Sequence, residues 1–213
     1  MTEDPGMLNA FKNNEDIHSS TAAKVFGIPL DKVSSDMRRK AKAVNFGLAY
    51  GQSAFGLSQT LGIPRSESKE IIDNYFEQFP GIKKYMTDTI AFAKANGYVE
   101  TFLGRRRYLR DINSANHTVR SQAERNAINS PIQGSAADMI KVAMINIHRV
   151  LKEEKMEAKM LLQVHDELIF ELPRTEQDKL AKIVVEHMKN AIPGLNVPIQ
   201  VSGGFGNNWL EAH

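Results

Sequence analysis

The chain has 213 residues, 42% hydrophobic and 24% charged, with no cysteine and a net charge of only +2. That length supports one domain, or two subdomains sharing a substantial core, and the composition is that of an ordinary globular protein. It excludes a disulfide framework, a thiolate metal site and a cysteine nucleophile, and it offers neither a leader peptide nor the ~20-residue apolar run of a membrane span, so an intracellular location is the simplest reading.

Residues 1–33 read as short helices joined by turns. Asp4-Pro5-Gly6 is a turn signal, and Gly27-Ile28-Pro29 closes a helix containing Ala22, Ala23, Val25 and Phe26. Glu15-Asp16-Ile17-His18, ahead of Ser19-Ser20-Thr21, reads as helix-capping chemistry. Gly62-Ile63-Pro64 echoes Gly27-Ile28-Pro29, but its flanks differ, so it is shared turn chemistry and not a repeat.

A helix is expected from the cap candidates Ser34-Ser35-Asp36 through Tyr50, stopping at Gly51. Arg38, Lys42, Phe46 and Tyr50 recur every four residues and share one slowly turning face. Ala41, Val44 and Leu48 on the other face can pack on a core. A basic helix face is ordinarily just solvated. Two cations followed by two rings on one stripe also match a nucleoside triphosphate, with charge for phosphates and a plane for the base.

Residues 66–96 give two helices, the first capped by Ser66 and broken at Phe79-Pro80-Gly81, the second ending at Asn96-Gly97. Their Tyr and Phe residues are core packing. Residues 98–103 form a short extended run that Gly104 turns into Arg105-Arg106-Arg107. Such an arginine-rich hairpin can touch phosphates without reading bases; solvated decoration is the alternative. With Arg110 it forms one cluster of cations, and Arg38, Arg39, Lys40 and Lys42 form the other, so any nucleic-acid affinity must come from placement rather than net charge.

Arg125, Asn129 and Gln133 again sit four apart, in a helix expected to break between Pro131 and Gly134. Donors of this kind reach the minor-groove acceptors that every correct base pair presents alike. Ser135 is then expected to cap an apolar helix to about Lys155, with Met139, Ile140, Ala143, Met144, Ile147 and Leu151 buried. Residues 160–172 follow, two apolar runs around His165, Asp166 and Glu167, which read as a β-hairpin whose tip holds both carboxylates. On its second strand Leu168, Phe170 and Leu172 share one face, and Glu167, Ile169 and Glu171 the other. Adjacent carboxylates repel unless a cation sits beside them, so this is half of a divalent-metal site or an acidic solvated turn. A helix with a Thr175/Asp178 capping box runs to about Ala191, residues 197–202 alternate as an edge strand, and Trp209 packs a glycine-rich tail back on the core.

Three of these stretches, in this order, resemble the DNA polymerase I family, the family A DNA polymerases. Arg38-x3-Lys42-x3-Phe46-x3-Tyr50-Gly51 resembles motif B, and Gln163-Val164-His165-Asp166-Glu167-Leu168 resembles motif C. Residues 129–138 are similar to the segment leading into the palm. The resemblance implies an α+β fold, an incomplete right-hand polymerase: a mostly helical fingers subdomain over residues 1–133 and part of an antiparallel palm over 134–213. It implies Asp166 as a metal-binding catalytic carboxylate, Glu167 as an auxiliary one, and His165 near the primer end. Arg38 and Lys42 would hold the triphosphate, Lys42 also aiding catalysis, with Phe46 beside the nucleotide and Tyr50 over the templating pair. Arg125, Asn129 and Gln133 would touch the duplex. The implied partners are primer-template DNA and a dNTP, the cofactor is Mg2+ at a two-metal site, and the location is the cytoplasm, at the nucleoid.

Motif A of that family, Asp-Tyr-Ser-Gln-Ile-Glu-Leu-Arg, is absent, and Met1-Thr2-Glu3-Asp4-Pro5 resembles sequence shortly downstream of it. The second essential carboxylate is therefore expected outside these residues, the isolated chain is expected to be inactive, and an upstream fragment carrying motif A is an expected partner. A non-catalytic nucleic-acid-binding fragment is the rival from another class. A portion of a single-subunit RNA polymerase is the enzymatic rival, disfavoured by Phe46 and Glu167.

Overall fold

A computed structural model describes residues 1–212. The fold is α+β, mainly helical, with two separate two-stranded antiparallel sheets among the described residues. It divides into two compact units, residues 1–135 and 136–213.

In the first unit, α1 (Pro5–Lys12) and α2 (Ile17–Phe26) are capped by Asp4 and Asp16, whose carboxylates accept from the Met7 and Ser19 backbone N–H groups. Asp4-Pro5-Gly6 is thus a helix start and not a turn, with proline at the first helical position, where a missing N–H costs nothing. The capping reading of Asp16 is borne out. Gly27 ends α2 and Gly62 ends α4 (Ala54–Leu61) in the same left-handed conformation, φ 65° and 67°, which explains their echo. The sequence expectation left residues 52–64 without an element; α4 is short, and its apolar residues Phe55, Leu57 and Leu61 give too little periodicity to be read alone.

Ser34 caps α3 (Ser35–Ala49) as expected. Ala41, Val44 and Leu48 are buried, and Val44 and Leu48 join a core with Val25, Leu57, Ile71, Tyr75, Phe79 and Ile82. Tyr75 and Phe76 of α5 (Arg65–Gln78), and Phe79 just after it, pack there as anticipated, whereas on α6 (Pro80–Asn96) Tyr85 is half-buried and Phe92 is exposed. Ser66 does not cap α5, which starts one residue earlier behind Pro64 without a side-chain cap. Strands β1 (Tyr98–Glu100) and β2 (Arg106–Tyr108) pair antiparallel, so the arginine-rich hairpin is present.

The largest departure from the sequence expectation is α7 (His117–Glu153), a single 37-residue helix with Pro131 inside it. An interior proline removes one helical hydrogen bond and costs ~3 kcal/mol. Ala127, Ile128, Ser130 and Pro131 are all buried, and the Tyr85 hydroxyl donates to the Ile128 carbonyl at 2.9 Å, so tertiary packing holds the helix through the proline. Gly134 marks no break either. A Cβ there would lie 2.5 Å from Thr101 Cγ2, and the Ser135 hydroxyl accepts from the Phe102 N–H at 2.9 Å. Both residues dock the hairpin on α7; Ser135 caps nothing.

In the second unit the later part of α7 buries Ile140, Ala143, Ile147 and Leu151, with Met139 partly covered, close to the expected stripe. Strands β3 (Lys159–Val164) and β4 (Glu167–Glu171) form the expected hairpin, interrupted by a bulge between Met160 and Leu162. Leu168, Phe170 and Leu172 pack on a core with Leu180 of α8 (Gln177–Lys189), while Leu161 and Leu162 are exposed. No capping box starts α8. A 3-10 turn, Arg174–Glu176, leads into it, and the Glu176 carboxylate instead accepts from the Glu157 and Ala158 N–H groups at 3.0 and 2.9 Å. Residues 197–202 form no strand; alternation alone cannot make one without a neighbour to complete its ladder. Trp209 opens α9 (Trp209–Ala212) and remains half exposed, so it does not anchor the tail as expected.

Candidate nucleotide and nucleic-acid site

The first unit gathers the stripe of α3 with residues of α2. Phe46 and Tyr50 keep 49% and 42% of their surface exposed, although three neighbours on the same helix are fully buried. Their rings lie nearly parallel, 25° apart, with centroids separated by 6.4 Å. Lys42 Nζ is 6.0 Å from the Phe46 centroid, at the limit of a cation–π contact. All four stripe residues therefore lie where the sequence puts them.

Two further residues join them from α2, and the sequence expectation gave them only a capping role. The His18 ring sits 5.8 Å from the Phe46 ring, and Arg38 and Lys42 are near enough to disfavour its protonation. Burial, the larger effect, also pushes its pKa down, against an opposing pull from Asp16. Asp16 itself takes both guanidinium contacts of Arg38, Nε at 3.0 Å and Nη2 at 2.6 Å. That bidentate pair holds the Asp16 carboxyl well below the usual carboxylate range. The spacing Asp16-x-His18 carries no signal by itself, because only the packing of α2 on α3 makes it part of the stripe.

Beside the rings lies a concavity of about 470 Å³ lined by Phe46, Tyr50, Gln52, Ser53, Thr60 and Arg125. Arg125 comes from α7, where its guanidinium is hydrogen-bonded to Gln122. Asn129 and Gln133 follow on the same face, and the unbroken helix keeps the three in line. Asn129 is half-buried, and its buried Oδ1 has no hydrogen-bond partner among the described residues. Gln133 is exposed beside the arginine hairpin. There Arg106 is occupied structurally, paired to Glu100 at 2.7 Å and lying 4.4 Å over the Tyr98 ring. Arg107 and Arg110 are exposed.

The second unit presents the acidic turn. His165 and Asp166 form a two-residue loop between Val164 and Glu167, which face each other across the strands. Only Asp166 of the two carboxylates is therefore at the tip, a correction to the expectation; Glu167 is the first residue of β4 and half-buried. His165 holds a left-handed φ of 54°, which tight hairpin turns demand and which costs a non-glycine residue ~1–2 kcal/mol. The Gln163 side chain donates to its carbonyl at 2.8 Å and braces the turn. Asp166 is exposed. Hard oxygen donors such as these two suit Mg2+, which needs only one or two carboxylates when substrate phosphates complete its shell. Among the described residues no group of three or more His, Cys, Asp or Glu side chains is gathered for a metal ion.

Comparison with known proteins gives a consistent result. A profile of DNA polymerase family A matches residues 1–211. DNA polymerase I of Bacillus caldotenax is 51% identical over 212 residues, covering 100% of this chain and 24% of that protein. DNA polymerase I of Mycobacterium bovis is 47% identical, over 100% of this chain and 23% of its own length. The chain thus spans about a quarter of the length of these relatives. Among solved structures, the polymerase domain of Pol1 from M. smegmatis, in complex with a DNA primer-template and dNTP, superposes with a TM-score of 0.93. It is 48% identical, and the match covers 99% of this chain and 37% of that one.

Proposed function

Because the chain belongs to DNA polymerase family A, we propose that it is the nucleotide- and duplex-contacting part of a DNA-directed DNA polymerase, with residues 1–133 as fingers and 134–213 as part of the palm. The observation that carries this reading is the surface of α3 and α2, where Arg38, Lys42 and His18 meet the exposed rings of Phe46 and Tyr50. Lys42 and Arg38 bind the triphosphate, and Lys42 stabilises charge that develops as the phosphoryl group transfers. Arg38 must leave Asp16 or share its guanidinium to do so. Phe46 stacks beside the nucleotide, and Tyr50 covers the templating pair.

Arg125, Asn129 and Gln133 take the minor-groove edges of the duplex. Asn129 and Gln133 would serve through their amide N–H groups, the donors that the shared minor-groove acceptors take. His165, held by its strained turn, lies at the primer end. Asp166 and Glu167 would hold Mg2+, which when bound activates the primer 3'-hydroxyl and neutralises the transferring phosphate. Two carboxylates are a partial set for two cations, and among the described residues no larger group of such ligands is gathered. A segment carrying motif A supplies the remainder, and the isolated chain does not extend primers.

The test is primer extension with Mg2+ by the chain alone, with a motif A fragment added, and within a complete family A polymerase domain. In the complete domain Asp166→Asn should abolish extension while leaving duplex affinity within about twofold, because it removes metal ligation and no phosphate contact. Lys42→Ala should weaken dNTP binding by roughly tenfold, the loss of one charge-assisted contact worth ~1.5 kcal/mol. Extension at an unchanged rate by the Asp166 variant with saturating dNTP would refute the metal role.

A further inference from the structure

The polar contacts behind His18 fix more than its position. Thr21 is fully buried in α2, and its hydroxyl lies 2.7 Å from the Ile17 carbonyl. A carbonyl only accepts, and at 2.7 Å it lies much nearer than Asn45 Oδ1, which is 3.3 Å from the same hydroxyl, so the single hydroxyl proton of Thr21 goes there. The Thr21 oxygen is left as an acceptor for whatever faces it on α3. That neighbour is Asn45, whose Nδ2 lies 3.0 Å from Thr21 Oγ1 and 3.2 Å from His18 Nδ1. The amide must therefore turn its NH2 toward Thr21, and the same NH2 donates its second hydrogen to His18 Nδ1. An Nδ1 that accepts carries no proton, so the imidazole is neutral and bears its hydrogen on Nε2.

We infer that Asn45, oriented by Thr21, is a positioning residue that holds His18 as the neutral Nε2–H tautomer, so that its free donor is available to the polyphosphate on the Arg38–Lys42 surface. This rests on the triphosphate reading of that surface. Protonating Nδ1 would set two donors against each other, the imidazolium N–H and the Asn45 amide, and would break the chain back to Ile17. The charged groups around the ring act in both directions: Asp16 at the start of α2 favours the imidazolium, and Arg38 and Lys42 on α3 oppose it. With burial they push the His18 pKa down, in the same sense as a hydrogen bond made only to the neutral ring. Asn45 thus converts a residue that titrates near neutrality into a fixed neutral donor. A neutral Nε2–H can donate to a phosphate oxygen without exchanging a proton with solvent during each nucleotide cycle.

Imidazole 15N shifts of the histidine-labelled 213-residue chain, followed through a pH titration, test this directly. Wild-type His18 should be neutral with Nε2 protonated from neutral pH upward. Asn45→Asp replaces the donor by an anionic acceptor, so Nδ1 should gain a proton and the His18 midpoint should rise by ~1–2 pH units. Thr21→Val frees the Asn45 amide to turn, and signals of both tautomers should appear. A wild-type Nδ1–H tautomer, or an Asn45→Asp midpoint that does not rise, would overturn the inference. Adding dATP to the wild-type sample tests the underlying reading separately: a His18 Nε2 signal that is the expected tautomer but does not move would remove the phosphate role and leave the tautomer assignment standing.

Discussion

Replacing Gly134 by alanine sets two effects of similar size against each other. Gly134 lies within α7, and alanine in a helix interior is favoured over glycine by about 1 kcal/mol. Against this, the new methyl would lie 2.5 Å from Thr101 Cγ2, well inside contact distance. Thr101 cannot swing away freely, because it is β-branched and its Oγ1 accepts from the Arg105 N–H at 3.2 Å. Overpacking of this kind costs about 1–3 kcal/mol. Gly134→Ala should therefore be destabilising by about 0–2 kcal/mol. Thr101→Ser removes the opposing methyl and keeps the hydroxyl. In that background Gly134→Ala should become stabilising, by up to about 1 kcal/mol, so the pair should couple by roughly 1–3 kcal/mol. Urea unfolding of the four proteins, followed by far-ultraviolet circular dichroism, measures the cycle. If Gly134→Ala has the same effect in both backgrounds, within about 0.5 kcal/mol, close approach of the hairpin is not the reason for the glycine.

Asp16→Asn should release Arg38 and cost less than about 1 kcal/mol, because both partners are 45% exposed and solvent screens the pair. The Asp16 pKa is depressed in the folded chain, so its contribution is fully present above the unfolded carboxylate value of ~3.9 and is lost as pH falls below it. The stability difference between wild type and variant, measured at intervals from pH 6 to pH 2, should shrink over the acid end of that range; a constant difference would exclude the ion pair as its source. Tyr85→Phe removes the hydroxyl donor to the Ile128 carbonyl beside the interior proline and should cost ~0.5–1.5 kcal/mol. Burial pushes the Tyr85 pKa up to about 12, so spectrophotometric titration should find one tyrosine ionising near there, in wild type but not in Tyr85→Phe.

What the sequence settled by itself is local in its physics. Ser34 as a cap, the buried face Ala41, Val44 and Leu48, and the exposed stripe Arg38 to Tyr50 follow from a 3.6-residue period and one hydroxyl. The β3–β4 hairpin follows from two short apolar runs around a short polar break. The family, too, was legible, since its motifs are such local patterns with fixed spacing. What only the tertiary structure decided depends on partners distant in the chain. Pro131 and Gly134 are breakers by local rule, yet α7 continues because burial and Tyr85 outweigh the proline, and because Gly134 is needed to admit Thr101. Residues 197–202 have strand alternation, yet form none, because a strand exists only with a neighbour. Asp16 and His18 are ordinary helix-start residues until α2 packs on α3, and then they bind Arg38 and flank Phe46. Local pattern sets which groups a segment offers, and packing sets which of them meet.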